Sequence, residues 1–127
     1  MSSALTQGIL VTVVSQYIPE RSSVSSRQFA FAYTVRIANQ GSETAQLRSR
    51  HWIITDSNGT VQEVRGEGVI GEQPVLRPGA HFEYTSWCVI ATASGSMRGT
   101  YQMVRPDGAG FDAEIAPFRL CLPQTLN

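Results

Sequence analysis

The chain has 127 residues, 42% hydrophobic and 16% charged, which is the composition of one globular domain and excludes a wholly disordered protein. Ten basic residues balance ten acidic ones, so no general field draws the chain to nucleic acid or to an anionic membrane, and neither is expected as a partner. All ten cations are arginine: without lysine there is neither a Schiff-base amine nor the ammonium of a P-loop.

The N-terminal stretch MSSALTQGILVTVV has no basic segment, and its apolar run Ile9–Val14 is too short for a signal peptide or a membrane span. A cytoplasmic protein is expected, one domain over 1–127 with flexible ends at 1–7 and 124–127. Ile9–Ile18, rich in Val and Ile, reads as a strand closed by Pro19 and the polar loop Glu20–Ser26. Phe29, Phe31, Tyr33, Val35 and Ile37 then alternate with Gln28, Ala30, Ala32, Thr34 and Arg36, which is the clearest strand pattern in the chain. Asn39-Gln40-Gly41-Ser42 turns into the strand Ala45–Thr55. Asp56-Ser57-Asn58-Gly59 predicts a hairpin between Gln46–Thr55 and Thr60–Arg65. Gly66 and Gly68 interrupt its second arm. Val69-Ile70 and Pro74–Leu76 lead to the turn Arg77-Pro78-Gly79 and the strand His81–Val89, and Thr92–Ser96 reads as a loop. The last hairpin joins Met97–Val104 to Phe111–Leu120 through Pro106-Asp107-Gly108, with Pro117 marking an edge or a strand end.

About seven short strands with no amphipathic helix predict an all-β antiparallel sandwich of immunoglobulin or fibronectin type III shape, a small closed barrel being the alternative. Cys88 and Cys121 are too few for a disulfide framework and lack metal-ligand spacing, so both are expected reduced.

Gly66, Gly68 and Gly71 form a GxGxxG. A dinucleotide fingerprint needs a helix opening at the third glycine, and here Glu72-Gln73-Pro74 follows instead, so the glycines read as a bulge or sheet crossing. Backbone amides of such a turn, with Arg65 beside them, could still form an anion nest facing Gln73, opposed by Glu63, Glu67 and Glu72. A second constellation is Arg48, Arg50 and Trp52, which strict alternation sets on one outward face opposite Leu47, His51 and Ile53. Two arginines near an indole suit an acidic or aromatic partner. His51 and His81 have no metal-ligand spacing, and the serines lack a nucleophile elbow. No catalytic residue, metal site or cofactor is therefore assigned.

From about Tyr17 to Pro123 the chain resembles the ApaG family, through FAYTVRIANQG at Phe29–Gly41, AQLRSRHWIITDSNG at Ala45–Gly59, EVRGEGVIGEQPVLRPG at Glu63–Gly79, FEYTSWC at Phe82–Cys88 and SGSMRGTYQMV at Ser94–Val104. The motif positions carried over are Arg50, Trp52, Thr55, Asp56 and Gly59, then Gly66, Gly68, Gly71, Gln73 and Pro74, then Pro78, Gly79, Met97, Gly99 and Tyr101. The chain departs from the family pattern at Trp87 and in the loop Val89–Ala93. The resemblance implies a fibronectin type III-like sandwich, an association with cobalt and magnesium tolerance, a gene neighbourhood with a diadenosine tetraphosphate hydrolase, and protein-interaction roles for similar eukaryotic domains. It brings no catalytic residues.

Two functions follow as expectations. The first is a non-enzymatic module that docks a protein partner through Arg50 and Trp52 or through the edge Gly66–Pro74. The alternative is a sensor or auxiliary enzyme that binds a pyrophosphate-containing ligand, such as a dinucleoside polyphosphate, at Arg65, Gly66, Gly68, Gly71 and Gln73.

Overall fold

In the computed structural model, which describes residues 1–123, the alternating segments become nine strands in two antiparallel sheets. One sheet has the order β1-β2-β3-β7, with β1 Ser2–Thr6, β2 Ile9–Tyr17, β3 Phe29–Asn39 and β7 His81–Ile90. The other runs β5-β4-β8-β9, with β4 Ala45–Asp56, β5 Val61–Glu67, β8 Ser94–Val104 and β9 Gly110–Cys121. A two-residue strand, β6 Val75–Leu76, pairs with the start of β4.

The sheets pack face to face because each presents an apolar side. Phe31, Val35 and Ile37 of β3 and Leu47, Tyr101 and Ile115 of the second sheet all lie fully buried in one core. At the centre is Trp52, edge-on to Tyr101 at 6.3 Å and to Phe118 at 6.0 Å, with Tyr33 of the facing sheet 5.3 Å away. Tilted and perpendicular ring pairs set the positive edge of one ring on the negative face of another. This is the sandwich predicted from alternation, and the Asn58-Gly59 hairpin forms with Gly59 at φ 85°.

Three details differ from the sequence reading. Residues 2–6 are strand β1 rather than a flexible end: Gln7 and Gly8, at φ 47° and 86°, make a primed turn whose twist lays Ser2–Thr6 along β2. The other expected flexible end, 124–127, lies outside the described residues. Ser94–Ser96 belong to β8 rather than to a loop, because the missing side chain of Gly95 lets the strand pass close to Thr55, where a Cβ would fall 2.6 Å from the carbonyl oxygen. Pro117 does sit on an edge strand, as predicted, but within β9: the β8–β9 register slips between Met97/Phe118 and Gly99/Ile115, so an unpaired residue absorbs the missing N–H.

The third difference matters most. The β4–β8 register shifts between Leu47/Met103 and Ser49/Gln102, leaving Arg48 as an extra residue in β4. Alternation restarts after this bulge, so Ala45 and Leu47 face the core before it, and Trp52 and Ile54 face the core after it. Trp52, expected on an outward face, is 2% exposed.

Among the described residues no helix is long and apolar enough to cross a membrane, and Cys88 and Cys121 are free thiols. Trp52→Ala is expected to cost about 3–5 kcal/mol of stability, the range for truncating a large buried aromatic. Urea unfolding checks this; a loss below roughly 0.5 kcal/mol, the range of surface substitutions, would mean that the indole is not a core residue.

Candidate functional site

The bulge at Arg48 organises the glycine-rich segment. Its carbonyl accepts the Gly68 N–H at 2.8 Å and the Gln73 side-chain amide at 2.8 Å, and Gln46 in turn donates to the Gln73 carbonyl at 3.1 Å. Gln73 thus serves as a strut between the turn and β4. Val69 and Glu72 exchange backbone hydrogen bonds of 2.8 and 2.9 Å around Ile70 and Gly71, whose φ values of 43° and 79° define a primed two-residue turn. The segment is a sheet crossing with a tight turn, as the absence of a following helix predicted.

Each glycine has its own reason. Gly66 lies opposite Arg50 in the β4–β5 ladder, and a Cβ there would stand 2.9 Å from the guanidinium carbon. Gly68 combines φ 62° with a backbone contact to the Glu72 carbonyl that a Cβ would violate, whereas Gly71 needs only its positive φ and has open space around it. The Arg50 guanidinium, lying across Gly66, donates through Nη1 to the carbonyls of Glu67 at 3.0 Å and Gly68 at 2.8 Å. The loop therefore turns oxygens, not amides, toward its nearest cation, while the amides of Gly68, Val69 and Glu72 donate within the chain.

The structure brings Arg50, Gly66, Gly68 and Gln73 together, with Gly71 in the same turn, and sets Arg65 apart. Arg50 and Trp52 do share a face, but it is the inner one; the bulge removes Arg48 from it. Arg65 projects from the opposite, outer side. There it lies 3.7 Å from Glu63, whose carboxylate also meets His51 Nε2 at 2.8 Å. The hydrogen bond from His51 holds the exposed Glu63 carboxyl below its ordinary range, with Arg65 adding a smaller pull. His51 and Arg65 border an open depression of about 590 Å³ on the outer face of the second sheet, which Ser49, Arg50, Thr100, Gln102 and Asp112 also line.

Strand β5 itself is the feature that the sequence reading undervalued. It pairs only with β4 among the described residues, and every residue from Val61 to Arg65 is exposed. Val64, next to Trp52 in the ladder and on the inner side, remains 39% exposed because the first sheet does not reach over it. The hairpin register gave the signal: it sets Val64 beside Trp52 and Gly66 beside Arg50.

A two-sheet antiparallel sandwich with a glycine-laced edge defines a compact all-β domain of the fibronectin type III kind. The chain belongs to the ApaG family: the ApaG domain model matches residues 19–105. It is 61% identical to Protein ApaG of Anaeromyxobacter dehalogenans (strain 2CP-C) over the full length of both chains. It is 58% identical to that of Pseudomonas aeruginosa (strain LESB58), over 92% of this chain and 93% of the relative. A crystal structure of a Bordetella pertussis protein named ApaA superposes with a TM-score of 0.89 at 55% identity, covering 92% of this chain and 95% of the other.

The glycines make a graded expectation. Gly71→Ala should cost about 1–2 kcal/mol, the price of a left-handed residue with a side chain. Gly68→Ala should exceed it, because the contact with the Glu72 carbonyl adds steric strain of about 1–3 kcal/mol. Equal losses in paired urea melts would contradict the described turn.

Proposed function

We propose that this chain is a non-enzymatic binding module that receives an extended segment of a protein partner along the free edge of β5. The observation that carries the reading is the state of that edge: seven residues long, free of proline, and paired on one side only. An unpaired strand edge offers a row of N–H and C=O groups to an incoming strand, and alternate side chains then supply selectivity. The charges of Glu63, Arg65 and Glu67 belong to the outward side, while the exposed Val64 faces inward beside Trp52. A partner segment with an apolar residue against Val64 and a basic residue near Glu63 and Glu67 fits this surface. We place the module in the cytoplasm, where its two thiols stay reduced. The association with cobalt and magnesium tolerance would then run through the partner rather than through ligands of this chain.

A photoreactive residue placed at Val61 should give a discrete crosslinked adduct in native lysate, whereas one at Val14, equally exposed at 53% against 56% but on the other sheet, should not. In the purified complex, the amides of Val61, Glu63, Arg65 and Glu67, which alternate with the residues bonded to β4, should gain protection from hydrogen exchange, and Arg65→Pro should weaken binding by roughly tenfold or more, the cost of about one hydrogen bond with its donor group. Adducts at Val14 in equal yield, or a complex that leaves β5 exchange unchanged, would count against the edge.

A further inference from the structure

Beside β5 the sandwich contains a small cleft that no packing requirement explains. Its walls are Tyr33, Tyr84 and Ser86 of the first sheet, Arg50 and Trp52 of β4, and Val69 and Ile70 of the turn, around about 160 Å³. Water takes roughly 30 Å³ per molecule, so the space holds about five waters or one short organic acid.

Two features of the lining point to an acceptor with a negative charge, and a third marks the rim as shaped for something other than folding. Arg50 is half-buried, and among the described residues no carboxylate lies within 4.0 Å of it. Its Nη1 is engaged by the Glu67 and Gly68 carbonyls, which leaves Nη2 and Nε as donors without a protein acceptor. A guanidinium whose edge is free beside aromatic walls is prepared for planar, bidentate contact with a carboxylate.

The second feature is the tyrosine pair. The hydroxyls of Tyr84 and Tyr101 bond to each other. The two hydroxyls carry two protons and their mutual bond consumes one. When Tyr101 is the donor of that bond, the Tyr84 proton is left for the cleft, which Tyr84 lines and fully buried Tyr101 does not. Burial raises the ionisation range of Tyr33, Tyr84 and Tyr101 alike, so all three remain proton donors at neutral pH.

The third is strain at the rim. Ile70 is β-branched, stands at φ 43° and is 61% exposed. Asn or Gly would relieve the conformation, and no burial of Ile70 offsets it.

We propose that this cleft binds a carboxylate group, held by the free edge of the Arg50 guanidinium and the Tyr84 hydroxyl, with a short apolar body against Val69 and Ile70. The site is independent of the β5 edge. The carboxylate could belong to a small aliphatic acid or to the C-terminus of a peptide, and the chemistry that recognises it is the same.

Amide and indole NMR on the full chain tests this, because Trp52 lines the cleft and Trp87, 48% exposed on the other sheet, supplies an internal control. The probes are acetate, pentanoate, inorganic phosphate, and one tetrapeptide ending in leucine with either a free or an amidated C-terminus. Saturable shifts of the Trp52 indole N–H, Val69, Ile70 and Ser86 are expected with pentanoate or the free peptide, and none with the amidated peptide. Pentanoate alone would identify a small acid, the free peptide alone a chain terminus. Tyr84→Phe, which spares the carbonyl contacts of Arg50, should weaken binding by roughly tenfold, about one hydrogen bond to a charged group. Ser86→Leu, at the cleft wall, should abolish it. Equal shifts with the amidated peptide, shifts of Trp87 that match those of Trp52, a tighter response to phosphate, or full affinity in both variants would each overturn the assignment. So would silence from every probe at millimolar concentration. None of these outcomes bears on exchange protection along β5, so the two proposals fail separately.

Discussion

One inserted residue sets the character of this domain. Without the bulge at Arg48, strict alternation along β4 would turn either Leu47 or Trp52 to solvent, since the two differ in parity. With it, both are buried, and Arg50 is carried to the inner side of the sheet opposite Gly66. The bulge also frees the Arg48 carbonyl from the β8 ladder to hold Gly68 and Gln73. Core packing, the path of the glycine-rich crossing and the placement of the inward cation all follow from that single unpaired position.

The same economy governs the connections between the sheets. Chain segments that leave a sheet must satisfy their carbonyls, and here side chains do so. Asn39, the buried polar side chain of the core at 1% exposure, donates to the carbonyls of Glu43 and Leu76 at 2.8 and 2.9 Å and accepts the Gly41 N–H at 3.0 Å, which fixes the crossover from β3 to β4. Arg105 donates to the carbonyls of Glu43 and Gln7 at 3.0 and 2.8 Å and stacks 4.5 Å from the Phe111 ring. Arg50 holds the carbonyls of Glu67 and Gly68 through Nη1 alone. A guanidinium fork spanning two carbonyls against an aromatic face is a structural use of arginine that lysine could not fill, because an ammonium has no planar edge to offer.

What was legible in the sequence depended on how local its cause was. The Phe29–Ile37 alternation and the turns at Asn58-Gly59 and Asp107-Gly108 are encoded within a few residues, and each forms as read. Strand β1 escaped because Gln7 is an uncommon residue at positive φ, so Gln7-Gly8 lacks the compositional mark of a primed turn. The start of β8 escaped because Ser-Gly-Ser resembles a loop until Thr55 is known to pass beside Gly95. The bulge has no local mark at all: Arg48 is an extra residue only relative to its partner on β8, a relation between segments some fifty positions apart in sequence. The error at Trp52 therefore came from applying a correct rule across an interruption that only pairing discloses. Arg50, Gly66, Gly68 and Gln73 lie together in the structure, and the inward orientation of Arg50 was hidden from the sequence for the same reason.

The two flanks of the sandwich are finished to different standards. On one, β9 lies against β1 and β2, the Ser15 hydroxyl donates to the Arg119 carbonyl at 3.0 Å, and the Glu114 N–H reaches the Thr6 hydroxyl at 3.1 Å. On the other, β5 overhangs the facing sheet, Val64 stays half-covered, Arg50 keeps donors free, and Ile70 sits in a conformation that its side chain disfavours. Each of these features costs stability, and stability alone would remove them, as it has on the β9 flank. Their concentration along one side of an otherwise consistent fold is the pattern expected where a surface is shaped by what it must bind rather than by how it must fold. A scaffold held rigid by the Trp52 cluster can carry such a flank, because the strain is local to the turn and the edge while the register of the two sheets is set elsewhere.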